Sequence, residues 1–120
     1  MAGATGTPVF SATGAWRDAP PFPGGDATAV VRVTVQPGWH LQSNVPLDPS
    51  LIPTQVRLDL PSGWSAEPWQ FPAHRITRLP FSDEPLAVFE GTFEATARVH
   101  AAANSSALVR GVVEAQACND

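Results

Sequence analysis

Thirteen prolines divide this 120-residue chain into short lengths and leave little room for a long helix. Eleven of them gather at Pro20, Pro21 and Pro23, at Pro46, Pro49 and Pro53, at Pro61, Pro68 and Pro72, and at Pro80 and Pro85. Each locks its own φ and lacks a backbone donor, so helices stop there and strands tolerate it only at edges and ends. Between the breaks the sequence alternates with period two. Residues 28–36 set Ala29, Val31, Val33 and Val35 against Val30, Arg32 and Thr34, and residues 54–60 set Val56, Leu58 and Leu60 against Gln55, Arg57 and Asp59. Such alternation, rich in β-branched residues, reads as half-buried strand.

Residues 85–100 read as one long strand bent at Gly91, with Phe89, Phe93, Ala95, Ala97 and Val99 on its apolar side. Residues 107–118 read as its partner across a turn at 101–106, forming a C-terminal hairpin. Shorter strands are expected at 8–12, 39–42, 64–67 and 75–78. About seven or eight strands separated by frequent turns predict an all-β fold, an immunoglobulin-like antiparallel β-sandwich with Pro-rich loops. The length suits a single domain over residues 1–120. With 43% hydrophobic residues it can build a core without disulfides.

Charge and hydropathy exclude several partners. All seven basic residues are arginine, against eleven acids, and the net charge of -4 leaves no concentrated basic face for nucleic acid. No apolar run approaches the roughly 20 residues that span a bilayer, so no direct membrane insertion by this chain is expected. The first seven residues lack the basic and apolar regions of a signal peptide, so an exported protein would carry that signal elsewhere.

Most catalytic constellations are missing from the pattern. His40, His74 and His100 lie far apart, with no metal-ligand spacing between them. A copper sandwich needs a histidine soon after its C-terminal cysteine and usually a methionine ligand, but Cys118 is followed only by Asn119 and Asp120, and Met1 is the sole methionine. There is no GxSxG and no glycine-rich phosphate loop. Asn104-Ser105-Ser106 fits a glycosylation acceptor, although a turn is the commoner use of such residues. Trp39, Trp64 and Trp69, with Phe71, read as packing between sheets rather than as a ligand platform. A sandwich appended to a polysaccharide enzyme would set the three tryptophans on one exposed face; a thiol-exchange domain would bury at least two. Asp83-Glu84 before Pro85 reads as a solvated loop.

Cys118 is the residue in an unusual setting. It ends the last strand, close to two polar residues, where a structural thiol would ordinarily sit mid-element. From composition alone a partly buried inert thiol remains the simpler reading.

Six words change the balance: Gln36-Pro37-Gly38-Trp39-His40-Leu41, Leu51-Ile52-Pro53-Thr54-Gln55-Val56, Leu60-Pro61-Ser62-Gly63-Trp64, Trp69-Gln70-Phe71-Pro72-Ala73, Val88-Phe89-Glu90-Gly91 and Glu114-Ala115-Gln116-Ala117-Cys118-Asn119-Asp120. In this order they resemble the N-terminal periplasmic domain of DsbD-type thiol:disulfide interchange proteins, from about Pro8 onward. The family pattern runs as GWHxY, LPTxVxWxLPxGW, a WPxP step, a YEGE step and YQACxD before a second cysteine. This chain departs from it at Phe89, which replaces the tyrosine before Glu-Gly, and at Gln42, which replaces an aromatic. Its cap segment, residues 75–84, carries no recognisable family motif.

The resemblance implies a periplasmic domain, exported, that works without a cofactor. It would take reducing equivalents from membrane-embedded and thioredoxin-like domains of the same or a related protein and pass them to oxidised periplasmic thioredoxin-fold proteins, as in disulfide isomerisation or cytochrome c biogenesis. It implies Cys118 as the first cysteine of the redox pair, on a final hairpin, with the second a few residues past Asp120. The domain would then end within its active-site hairpin. His40, Gln42, Phe81, Asp83, Glu84 and Phe89 are implied as the surroundings and cap of that site. As part of a protein-disulfide reductase, a chain with one cysteine would form a mixed disulfide without turning over. A different class of reading is a non-catalytic β-sandwich that binds a partner through an edge strand or its aromatic loops. A lone accessible thiol also predicts air-oxidised dimers through Cys118 that excess reductant dissolves; non-reducing and reducing chromatography checks this, and a dimer that survives reductant contradicts it.

Overall fold

A computed structural model describes residues 8–80, 83–103 and 108–119, and the described residues are all-β with no helix. Ten strands follow in order: β1 (Phe10–Trp16), β2 (Asp26–Val35), β3 (Trp39–Gln42), β4 (Gln55–Asp59), β5 (Ser65–Ala66), β6 (Arg75–Thr77), β7 (Leu86–Phe89), β8 (Thr92–His100), β9 (Arg110–Glu114) and β10 (Ala117–Asn119). They form two four-stranded sheets, ordered β1-β2-β8-β5 and β10-β3-β7-β6, and a two-stranded sheet β4-β9. All pairings are antiparallel.

The alternation of β2 and β8 explains the core. Pairing Val31 with Ala95 and Val33 with Phe93 puts both apolar rows on one face, where they meet Leu41 of β3, Val56 of β4 and Phe89 of β7. The other rows face water, and there Arg32 pairs with Glu94 at 2.9 Å. The Phe89 and Phe93 rings lie 4.5 Å apart and Phe71 stacks on Phe89, so aromatic packing joins the two larger sheets. A second cluster around Ala29, Trp64, Val99 and Ala101 continues the core toward Leu58 and Leu60.

Three expectations change. The run 85–100 is two strands rather than one, because Gly91 adopts φ +68° and the chain leaves the β3-β7 sheet to join the β2-β8 sheet. The C-terminal hairpin between 85–100 and 107–118 is absent among the described residues: β8 is flanked by β2 and β5, and the last segment divides into β9 beside β4 and β10 beside β3. Both edges of β8 are occupied, so the returning chain pairs elsewhere. The N-terminal strand runs to Trp16 rather than stopping at 12, held along its length by β2 from Phe10↔Val35 to Trp16↔Ala29. Glycosylation at Asn104 falls outside the described residues.

One polar clamp fastens the end of the β1-β2-β8-β5 sheet. His100 Nδ1 lies 2.7 Å from Asp26 Oδ1 and its Nε2 lies 2.8 Å from Glu67 Oε2. Hydrogen bonds to Asp26 and then Glu67 raise His100 above its ordinary 6.5, and the His100 bond lowers Asp26 below its ordinary 3.8. The histidine contribution is full below 6.5 and disappears as pH rises through the raised value; the aspartate contribution holds above 3.8 and disappears as pH falls through the lowered one. Solvent screens such exposed groups, so the effect is modest. The Tm lost in His100→Gln is therefore largest near pH ~5 and shrinks toward strong acid and above neutrality. Thermal melts across pH check this, and a pH-independent loss contradicts it.

Candidate functional site

The β10-β3 ladder places Cys118 opposite His40, with Ala117 opposite Leu41. Directly opposed residues share a face, and alternate residues point to opposite faces. Leu41, Phe89 and Ala117 therefore turn into the sandwich, while Cys118, His40, Gln42 and Val88 turn outward. An outward face of a sheet is normally wet, but here it is covered. Leu79, Leu86 and Val88 form a small separate core, and Leu51 and Cys118 pack against it. The covering comes from the β6-β7 hairpin, whose connection carries Leu79, and from the loop between β3 and β4, which carries Leu51.

That second loop is closed at its base. Thr54 N–H donates to Ser43 C=O at 3.1 Å, Ser43 N–H donates to Ala87 C=O at 2.9 Å, and the Ser43 hydroxyl meets His74 Nδ1 at 2.9 Å. Asp48 Oδ1 accepts from both the N–H and the hydroxyl of Ser50, which lowers the Asp48 pKa and forms a turn just before Leu51. Ile52 N–H donates to Gln116 Oε1 at 2.7 Å, tying the loop to the residue before β10.

The sulfur has polar neighbours on its strand partner. Cys118 Sγ lies 3.7 Å from the His40 carbonyl oxygen and 3.9 Å from Gln42 Nε2. His40 Nε2 sits 3.0 Å from Glu90 Oε2, and the other Glu90 oxygen pairs with Arg75, so one carboxylate joins β3 to β6 across the end of β7. Cys118 is half-buried, and His40 and Gln42 are buried. The thiol combines partial access with a hydrogen-bond donor and an apolar cover, and access is one condition of thiol-disulfide exchange. Among the described residues, no group of three metal-ligating side chains occurs.

The implied site residues divide. His40 and Gln42 flank the sulfur. Phe89 does not: it belongs to the sandwich core, 3% exposed, on the inner face of β7. Asp83 and Glu84 lie exposed in the β6-β7 connection, where the Asp83 carbonyl accepts from Arg78 at 2.8 Å. Phe81 lies outside the described residues. Leu79 and Leu86 stand in none of the shared words, and Leu51 and Glu90 stand in them without an implied site role; nothing in periodicity separates a covering leucine from a core leucine. Trp64 is buried, and Trp39 and Trp69 are half-buried against the core, so the three offer no exposed aromatic platform.

The sequence profile described as "Thiol:disulfide interchange protein DsbD, N-terminal" matches residues 12–120. The chain belongs to this family. It is accordingly a domain of the kind found at the N-terminus of DsbD-type thiol:disulfide interchange proteins. In fold, the chain is similar to the N-terminal periplasmic domain of ScsB from Proteus mirabilis, with a TM-score of 0.71 at 12% identity over 98% of its length. It spans 44% of that chain. No curated protein matches it significantly.

The small core above Cys118 predicts that Leu79→Ala, which removes a side chain only 5% exposed, speeds modification of the thiol by a bulky reagent such as Ellman's reagent. The same change lowers stability by about 2–5 kcal/mol, the usual cost of truncating a buried leucine. Stopped-flow modification and denaturant titration check both, and a thiol no faster in the folded variant contradicts the cover.

Proposed function

We propose that residues 1–120 form one immunoglobulin-like domain that relays reducing equivalents, with Cys118 as the first sulfur of its redox pair. The supporting observation is the position of that sulfur, on an edge strand with a donor beside it and a hydrophobic cover above it. An edge strand leaves one side open, so a protein-sized partner can approach once the cover lifts. The donor domain is a membrane-embedded or thioredoxin-like unit of the same or a related protein, and the acceptors are oxidised thioredoxin-fold proteins of the periplasm. His40 and Gln42 line the sulfur, and Asp83 and Glu84 belong to the covering segment.

The chemistry follows from thiol-disulfide exchange. A thiolate of the donor attacks the oxidised pair, one S–S bond forms as another breaks, and the donor's second thiolate then displaces the mixed disulfide. Two electrons pass to the pair, which repeats the exchange on the next disulfide. The second sulfur of the pair lies outside residues 1–120, which hold one cysteine. By themselves these residues therefore stop at the mixed disulfide.

The test is trapping. A thioredoxin-fold protein whose remaining active-site cysteine carries a thionitrobenzoate leaving group should release thionitrobenzoate and form a stable adduct with this chain. Cys118→Ser should form none, and residues 1–120 should show no catalytic reduction of insulin. A folded chain whose Cys118 ignores that partner, or one that reduces insulin with turnover, overturns the proposal.

A further inference from the structure

We infer that Gln42 is a hydrogen-bond donor that stabilises the Cys118 thiolate. Gln42 is 2% exposed, and its Nε2 lies 3.9 Å from Cys118 Sγ. Its Oε1 is buried with no hydrogen-bond partner among the described residues. Burying an amide with half its capacity unused opposes folding, and native proteins keep such groups where chemistry needs them. A leucine or valine would extend the neighbouring cluster of Leu79, Leu86 and Val88 without that cost.

The backbone around Gln42 holds the amide in place. Its N–H donates to the Gln116 C=O at 3.0 Å, its C=O accepts from the buried Thr54 hydroxyl, and it pairs across the ladder with Val88. The side chain thus leaves a fixed point on β3 and reaches two residues along the ladder to the sulfur. Opposite it, the His40 carbonyl oxygen, 3.7 Å from Sγ, suits the protonated thiol as an acceptor and opposes the thiolate. The Gln42 N–H favours the ionised form, because a hydrogen bond to a charged state stabilises that state.

The consequence for exchange, which rests on the proposed relay, lies in the leaving step. When the thiolate of a dithiol partner attacks its own sulfur in the mixed disulfide, the S–S bond to Cys118 breaks and both bonding electrons leave on Cys118. The partner is oxidised to its disulfide, and Cys118 departs as a thiolate that the Gln42 N–H receives. Lower-energy leaving thiolates depart faster.

The test uses the thiol alone, so its failure is distinct from failure of the relay, which is read by adduct formation with a partner. Iodoacetamide alkylation of Cys118 is followed against pH in the wild-type chain, Gln42→Leu and Gln42→Glu, with circular dichroism establishing the fold of each. Loss of the donor should move the midpoint of ionisation upward in Gln42→Leu and slow alkylation at neutral pH about three- to tenfold, the range spanned by one hydrogen bond. Gln42→Glu keeps the shape and adds a like charge, so its midpoint should rise at least as far. In the wild-type chain, which needs no variant to fold, the Gln42 side-chain amide resonances should titrate with the same midpoint as alkylation. A folded variant with an unmoved midpoint, or an amide that does not respond to ionisation of the thiol, overturns the inference.

Discussion

The pairing of β10 with β3 is the contact on which the candidate site depends. It is three residues long, and it alone decides that Cys118 lies on the outer face of its sheet, opposite His40 and within reach of Gln42. A shift of one residue would turn the sulfur into the sandwich, in place of Ala117, because side chains alternate along a strand. The apolar neighbours fix that register. Ala117 fills the inner core with Leu41 and Phe89, while Cys118 meets Leu79, Leu86 and Val88 on the other side. Two hydrophobic layers therefore enclose one strand, and the Cys118 sulfur belongs to the thinner of them.

That arrangement reconciles protection with access. The main core joins both large sheets and includes fully buried Val33, Leu41 and Ala95. The layer above the sulfur is a short hairpin connection and a loop tied at its base, with exposed Val45, Leu47 and Ile52 nearby in sequence. Local opening follows the least-packed parts of a structure, and the cover rests on the smaller of these clusters. Polar contacts divide in the same way. The Arg75-Glu90-His40 chain holds the sheet beneath the cover, and the His100 clamp sits at the end of the other sheet.

Much of the sandwich was legible in the sequence because period-two alternation is a direct statement about faces. Val31, Val33 and Val35, and Phe93, Ala95 and Val99, are the rows that close the core. The strand at 39–42 also follows from its flanking turn residues, with Gly38 at φ +83° where the chain enters β3. What alternation cannot state is which strand neighbours which. Residues 85–100 read as continuous because apolar positions keep their parity on both sides of Gly91, and only a left-handed glycine sends the two halves to different sheets. Cys118, His40 and Gln42 came from the order of the sequence words, whereas the cap residues Leu51 and Leu79 look like any other loop leucines until the fold folds them over the sulfur. Phe89 shows the reverse: a residue within a shared word that packs the core.

The proposed relay makes Cys118 half of a redox couple. Thiol titration of the native protein, before and after mild oxidation, measures this most directly. The account predicts that Cys118 is titratable in the reduced protein and disappears on oxidation together with one further thiol, without a change in molecular weight beyond two hydrogens. A Cys118 that remains free in the folded, oxidised monomer would contradict it.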